Sequence, residues 1–261
     1  MVRACDSHSQ GQRFDPFAAH RNMMVAFTKK RHPNMNKQPK VIDLTHALSD
    51  NIPSWDGKPD FKLDIVTDYE DCTPPDLFRT QKINASISLG THMDAPAHVI
   101  LGGRTIDKLT LEELVANCVV IDVSKEAREN YSVMPRTIEK FEKEHGEIPA
   151  RSLVIFYTGW SKHWKTPEKY HNNFGFPSVD VSTAEVLLKR NVVGLGIDTF
   201  SCDTGKNGFP VHRAILGADK YLVENVANAE LIPTNGAKVL VLPMKIKDAT
   251  EAPIRLIALI D

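Results

Sequence analysis

The segment GTHMDAPAH at residues 90–98 packs two imidazoles and a carboxylate into nine positions. In an extended chain alternate side chains share one face, so His92 and Asp94 project together. The opening glycine permits a close backbone approach, and Pro96 prevents a central strand from continuing to His98. The segment therefore predicts a short strand that presents one nitrogen and one oxygen ligand on the same face.

Neutral imidazole and carboxylate, without thiolate, are the ligands that Zn²⁺ or Mn²⁺ takes at sites open to water. Open positions for water are what a hydrolytic metal site requires. Histidine is also common in cores and loops, and the chain has 10 of them, so a lone H-x-D pattern carries little weight. The flanking glycine and proline strengthen the interpretation, and they favour metal-assisted hydrolysis.

Residues 82–89 alternate in polarity just before this segment. This spacing predicts a strand whose polar face, continued without a bulge, places Ser88, His92 and Asp94 on one wall of a cavity. A bulge at the intervening glycine would reverse that register.

Further ligands are expected from the C-terminal third of the chain. An apolar run at residues 192–197 ends in a polar cluster that begins with Asp198. Sites in α/β sheets gather at the carboxyl ends of strands, which favours His212 or Asp198 as a ligand. Glu224 lies among apolar residues, where an unpaired carboxylate is costly to bury. Spacing alone leaves open that Glu224 is an ordinary carboxylate on a surface helix.

Five segments together resemble the cyclase family of metal-dependent hydrolases, which includes bacterial kynurenine formamidases and isatin hydrolases. They are VIDLTH at 41–46, GTHMDAPAH at 90–98, GLGIDT at 194–199, PVHR at 210–213 and ENVAN at 224–228. The resemblance spans about residues 40–261 and preserves the order of the motifs, which is far more specific than a single short pattern.

The resemblance implies a single α/β domain with the family's swivelling β/β/α fold and a mixed sheet. The family's metal ligands fall on His92, Asp94, His212 and Glu224, and its catalytic acid/base falls on His98. The implied reaction is hydrolysis of a small-molecule amide, either an aryl formamide, as in tryptophan catabolism, or a lactam.

Ser88 departs from the formamidase-like pattern, in which a histidine at this position helps to hold a second zinc ion. A hydroxyl is a much poorer ligand than imidazole. We therefore expect one tightly bound Mn²⁺ or Zn²⁺ per chain, with Ser88 as a weak second-metal or hydrogen-bonding position.

The ligand set predicts the chemistry, because a divalent ion acidifies a water and polarises a carbonyl. His98 titrates near neutrality and is expected to shuttle the proton. Trp55 and Phe200 are candidates for stacking on an aryl substrate, although a hydrophobic plug or a subunit contact explains either ring equally well.

Two other function classes remain open. A lactone or ester hydrolase would use the same activated water, since the pocket alone selects the acyl group. A catalytically inactive small-molecule-binding protein is suggested by the departure at Ser88, whereas the retention of His98 argues against it.

Composition favours a small-molecule partner. The net charge of the 261 residues is −1, so there is no basic field for nucleic acid or for anionic lipid. No apolar run reaches 18 residues, so no membrane span is expected. The four cysteines have no C-x-x-C spacing, which favours a reducing, cytoplasmic location. The family resemblance also implies a homodimer or a higher homo-oligomer.

Residues 1–38 form a polar, basic N-terminal arm that the resemblance does not reach, and we expect it to be partly flexible. The arm lacks the apolar core of a secretory signal. A weak organelle-targeting peptide and an arm packed on a neighbouring subunit both remain open. We assign residues 39–261 to the hydrolase domain.

Short apolar runs predict buried strands that alternate with helices, which indicates a mixed or parallel sheet. The strands are expected at residues 119–123, 153–157, 192–197, 239–242 and 254–260. Capping boxes predict helices over 110–117 and 182–191, and a third is expected over 138–145 with Gly146 as its stop.

Overall fold

In a computed structural model of the protein, the apolar runs form strands of a mixed sheet. The structure describes residues 38–206 and 208–260. In chain order the strands of the described residues are β1 (Lys40–Asp43), β2 (Phe61–Thr67), β3 (Thr80–Ala85), β4 (His92–Asp94), β5 (Val115–Asp122), β6 (Ser132–Val133), β7 (Ser152–Tyr157), β8 (Ser178–Val179), β9 (Gly194–Ile197), β10 (Tyr221–Glu224), β11 (Ala237–Pro243) and β12 (Glu251–Ile260). The predicted N-terminal arm, except its last residue, lies outside these ranges.

The helices lie between the strands. They are α1 (Leu111–Leu114), α2 (Pro135–His145), α3 (Pro167–His171), α4 (Val181–Lys189) and α5 (Pro210–Gly217). Single 3₁₀ turns occupy Tyr69–Asp71, Pro96–His98, Ile106–Lys108, Trp160–His163, Asn172–Phe174 and Ala229–Leu231. In the part of the chain that the structure describes, no helix has both the length and the apolar character that a membrane crossing needs.

The main sheet closes on itself through β4. Its strand order is β1-β12-β11-β5-β7-β9-β10-β4, and β4 also pairs with β12. Strands β5, β7, β9 and β10 run parallel, whereas β4 is antiparallel to both of its neighbours. The predicted α/β fold with a mixed sheet is therefore confirmed.

The core lies on both sides of this sheet. Leu153 and Ile155 of β7 join one buried cluster, whereas Val154 and Phe156 join the other. Residues of α4 and α5 complete the second cluster. Because both faces are covered, the strands read as continuous apolar runs rather than as alternating ones, and all five predicted runs overlap observed strands.

The boundaries of all three predicted helices differ from the prediction at one end or both. The capping box at Thr110 and Glu113 is present, but α1 ends at Leu114 instead of residue 117, because Val115 already pairs with β11. Helix α4 spans Val181–Lys189 instead of residues 182–191. Its N-cap is Asp180 and not Ser182, since the Asp180 carboxylate accepts a hydrogen bond from the Ser182 amide at 2.9 Å. Helix α2 ends at His145 with Gly146 as its stop, as predicted, although it begins at Pro135 instead of residue 138.

The strand predicted over residues 82–89 is wrong in its extent and in its continuation to His92. Strand β3 ends at Ala85 and pairs with β2 in a separate two-stranded ribbon, where Ile83 is 62% exposed. A turn then leads to Gly90, whose φ of +73° favours glycine, before β4 enters the main sheet. Two strands of different sheets therefore replace the single strand that alternation suggested.

Candidate metal centre

A cavity of about 730 Å³ opens over β4, and every site residue predicted by the family resemblance or as a substrate contact lines it. These residues are Trp55, Ser88, His92, Asp94, His98, Phe200, His212 and Glu224. These residues come from separate parts of the chain, and the fold brings their side chains to one cavity.

Strand pairing sets three of these side chains side by side. Glu224, the last residue of β10, lies directly opposite His92 on β4. Asp94 has the same parity as His92, so all three side chains share one face. Met93, between them, is fully buried in the core on the other face. The predicted H-x-D geometry is therefore present.

His92 is held by a backbone carbonyl. Its Nδ1 lies 2.9 Å from the Gly90 carbonyl oxygen, which also accepts a hydrogen bond from the Asn225 side-chain amide at 2.9 Å. A ring nitrogen against a carbonyl acts as the donor, so Nδ1 carries the proton and Nε2 keeps a free lone pair. His92 thus presents Nε2 to the centre of the site.

His212 is held in the same way by a carboxylate. It lies in the first turn of α5, where Asp203 accepts hydrogen bonds from the Val211 and His212 amides at 3.2 and 2.9 Å. The same carboxylate lies 2.8 Å from His212 Nδ1. Asp203 therefore caps the helix and orients the ring so that Nε2 faces the cavity. The sequence analysis did not single out Asp203, which lies in the polar cluster that begins with Asp198.

The two carboxylates lie between the two rings. His92 Nε2 is 3.5 Å from Asp94 Oδ1 and 3.5 Å from Glu224 Oε2. His212 Nε2 is 3.5 Å from Asp94 Oδ2 and 3.5 Å from Glu224 Oε1. Ligands that share one ion at about 2.1 Å are separated by about 3.0 to 3.4 Å, so these contacts are slightly longer than one ion would set. Asp94, His212 and Glu224 form one group of possible ligands, and His92 lies within reach of both of its carboxylates.

The surroundings of the Asp94 carboxylate suit a bound cation. Its side chain is 1% exposed, and within the described residues neither carboxylate oxygen has a hydrogen-bond partner. A buried carboxylate without a donor is costly unless a charge compensates for it. A divalent ion would supply that charge, and the donor set of two imidazoles and two carboxylates suits Zn²⁺ or Mn²⁺.

The pKa values of Glu224 and His212 are both shifted by burial and by the neighbouring Asp94 carboxylate. Burial and the neighbouring Asp94 carboxylate raise the pKa of Glu224 to about 7. Burial lowers the pKa of His212, but its contacts with Asp203 and Asp94 outweigh burial and raise that pKa to about 10. A raised pKa means that the group favours its protonated form, so both shifts indicate excess negative charge in the cavity. A bound cation would offset this charge.

His98 lies beside this cluster. It ends the 3₁₀ turn Pro96–His98, and its ring centroid is 5.9 Å from that of His212. Its Nδ1 is 3.3 Å from Oε2 of Glu251, a residue that sequence reasoning missed. This contact raises the pKa of His98 above its usual value, although burial opposes it. His92, Asp94 and Glu251 form a second group of possible ligands, which shares Asp94 with the group of Asp94, His212 and Glu224.

Aromatic rings form the outer wall of the cavity. Trp55 is 40% exposed, and its ring centroid lies 4.7 Å from Phe174, 6.0 Å from Phe209 and 6.3 Å from Phe200. His171 Nε2 donates to the Trp55 carbonyl oxygen at 3.0 Å, so the segment that carries Trp55 is held to the end of α3. Trp55 and Phe200 are thus placed where a flat substrate could stack.

Asp198, an alternative ligand in the sequence analysis, does not reach the cavity. Its buried carboxylate accepts hydrogen bonds from the Thr158 amide and hydroxyl at 2.8 and 2.6 Å and from the Ser161 amide at 3.3 Å. It therefore joins two loops and serves structure. Ser88 does line the cavity, and it is half-buried there.

Asp203 supplies a prediction about metal affinity. Replacing it with asparagine keeps an oxygen for the helix cap but weakens the acceptor that orients His212, so we expect Zn²⁺ affinity to fall about 10- to 100-fold. Competition against a chromophoric chelator measures this. Asp76→Asn, an exposed loop position, is the matched control. Unchanged affinity in Asp203→Asn would contradict the orienting role.

Comparisons with known proteins agree with this geometry. Residues 42–204 match the family described as "Putative cyclase". The isatin hydrolase of Roseibium aggregatum is 30% identical over 249 residues, which cover 87% of this chain and 94% of that protein. The kynurenine formamidase of Bacillus anthracis is 24% identical over 220 residues, covering 84% and 97%. The structure of isatin hydrolase A from Ralstonia solanacearum matches with a TM-score of 0.78 at 29% identity, over 85% of this chain and 92% of that one. The chain therefore belongs to the cyclase family of metal-dependent hydrolases.

Proposed function

We propose that this protein hydrolyses an amide bond of a small aromatic molecule, either an aryl formamide or a lactam, with one tightly held Zn²⁺ or Mn²⁺. His92, Asp94, His212 and Glu224 would hold the ion. The observation that carries the proposal is the Asp94 carboxylate, which is buried without a hydrogen-bond partner in the described residues and lies between two imidazole nitrogens.

The chemistry divides between the ion and the chain. When bound, a divalent ion polarises the substrate carbonyl and acidifies a water. His98 accepts the proton of the attacking water and returns it to the departing nitrogen, a role that its cavity position and its titration range allow. The Asp94 and Glu224 carboxylates would supply the negative charge that attracts the ion. Asp203 keeps His212 in its orientation.

The aromatic wall supports an aryl substrate. Trp55 and Phe200 offer ring faces and edges to a flat molecule above the ligand cluster. An isatin hydrolase and kynurenine formamidases are among the relatives, and both names point to aryl amides. A role in tryptophan catabolism, a cytoplasmic location and a homo-oligomeric state remain predictions.

A substrate panel tests the proposed reaction. Metal-loaded protein is assayed with isatin, N-formylkynurenine and δ-valerolactone, before and after dialysis against a chelator. We expect an aryl amide to be turned over up to about tenfold faster than the lactone, because an aliphatic ring forfeits aromatic contacts worth about 0.5 to 1.5 kcal/mol. Activity should disappear on chelation and return with Mn²⁺ or Zn²⁺. Faster lactone hydrolysis would favour the ester and lactone class, and no turnover with metal bound would favour the binding protein.

Elemental analysis tests the number of ions. Protein purified without chelator is expected to hold one equivalent per chain, because the hydroxyl of Ser88 is a poor ligand for a second ion. Ser88→His is the matched variant, since it adds an imidazole to the wall of the same cavity, and it should raise the content towards two. Two full equivalents in the unaltered protein would contradict the prediction.

A further inference from the structure

Glu251 is a cavity residue for which the proposed reaction has no task. It begins β12, and strand pairing sets it directly opposite Asp94 on β4. Its side chain is 16% exposed, and its Oε2 lies 3.3 Å from His98 Nδ1. A carboxylate at this distance from an imidazole nitrogen is the arrangement that orients a general base.

The backbones of the two residues are tied together. The His98 amide donates to the Ala95 carbonyl oxygen at 2.9 Å, which closes the turn that carries the ring. The Ala95 amide in turn donates to the carbonyl oxygen of Thr250 at 2.9 Å, one residue before Glu251. The carboxylate and the imidazole therefore keep a fixed relation.

The contact selects one form of the imidazole. A carboxylate only accepts hydrogen bonds, so the nitrogen that faces it carries the proton. Nδ1 of His98 faces Glu251, which leaves Nε2 with its lone pair for the proton of an attacking water. The His98 side chain is 31% exposed, so without this partner the ring could rotate and exchange tautomers.

We propose that Glu251 is a positioning residue that holds His98 as the Nδ1-protonated tautomer with Nε2 directed into the cavity. The inference rests on the proposed function, since it assumes that His98 moves the proton. Glu251 acts through His98 and does not itself touch the reacting atoms.

A ligand role for Glu251 is the competing explanation. Glu251, His92 and Asp94 could together approach an ion. However, His92 Nε2 also lies 3.5 Å from Glu224 and Asp94 also lies 3.5 Å from His212, whereas Glu251 is in contact with His98. Positioning therefore accounts for the observed contact without a second ion.

A double-mutant cycle separates the two roles. Glu251→Ala is expected to lower kcat about 10- to 100-fold on whichever aryl amide the wild type hydrolyses, with KM within about twofold and metal content unchanged. Glu251→Gln, which keeps an acceptor oxygen, should recover part of the lost kcat. When His98 is already alanine, Glu251→Ala should change kcat by less than about twofold, because coupled residues are not additive. Glu139→Ala, an exposed acid on α2, is the matched control.

A spectroscopic measurement tests the tautomer without turnover. In Zn²⁺-loaded protein with ¹⁵N-labelled histidine, the His98 ring, assigned by its loss in His98→Ala, should show a protonated Nδ1 and an unprotonated Nε2. Glu251→Ala should shift it towards a tautomer mixture. Loss of metal from Glu251→Ala, an equal fall of kcat in the His98→Ala background, or an unchanged ¹⁵N spectrum would each overturn the proposal. A wild type that hydrolyses no aryl amide would overturn the proposed function, and the ¹⁵N spectra would still decide the role of Glu251.

Discussion

Asp94→Asn is expected to abolish tight metal binding and to lower kcat/KM by at least about 10³-fold. Asp94 lies between both imidazoles, and its replacement removes a negative charge from the centre of the ligand group. Loss of several kcal/mol of stabilisation by the ion corresponds to a rate loss of this size. Elemental analysis and steady-state kinetics measure the two effects.

The same substitution should remove the stabilisation that metal gives. Burial raises the pKa of Asp94, but the His212 and His92 imidazoles outweigh burial and lower that pKa, so the ionised carboxylate is partly compensated without metal and Asp94→Asn should not raise the unfolding temperature of metal-free protein. Zn²⁺ at 100 times its Kd should stabilise the wild type by about 2.7 kcal/mol and leave the variant unchanged. A variant that retained one equivalent of metal would refute the assignment of Asp94. Asp76→Asn again serves as the control.

His98→Ala is expected to keep the full metal content and to lose about 10²- to 10⁴-fold in kcat, the usual contribution of a general acid/base. His98 stands beside the four ligand side chains and contacts Glu251, so its removal leaves the ligand group intact. Metal analysis and kcat on the same sample provide the measurement.

His145→Ala is the matched control for this variant, because His145 lies exposed in the last turn of α2. The decisive contrary result is metal loss from His98→Ala with activity restored by excess ion. That result would make His98 a ligand, and the proton shuttle would have to be another residue.

Local signals predicted only part of the candidate ligand group, since the choice of His212 over Asp198 came from the family resemblance. Glycine and proline bound the strand that carries His92 and Asp94, and this strand is only three residues long in the structure. The apolar run of β10 ends in Glu224, whose burial was inferred from its neighbours. Strands that are apolar on both faces were recognisable as buried, so the mixed α/β architecture was predictable as well.

The remaining features depend on pairing between distant segments. Glu251 enters the site because β12 pairs with β4, a register that no local pattern encodes. The ribbon formed by β2 and β3 ended the strand that alternation predicted through Ser88, since a local period does not reveal which sheet a strand joins. Asp198 resembled a ligand by its position after β9, but hydrogen bonds from Thr158 and Ser161 direct it elsewhere.

The closure of the main sheet by β4 has a consequence for biosynthesis. This strand finds both of its partners, β10 and β12, far downstream in the chain. During translation the histidine and aspartate of β4 emerge long before the strands that flank them. Such non-local pairing is slow to form, so we expect the site to assemble late in folding, and an ion held by these residues would bind after most of the polypeptide has left the ribosome.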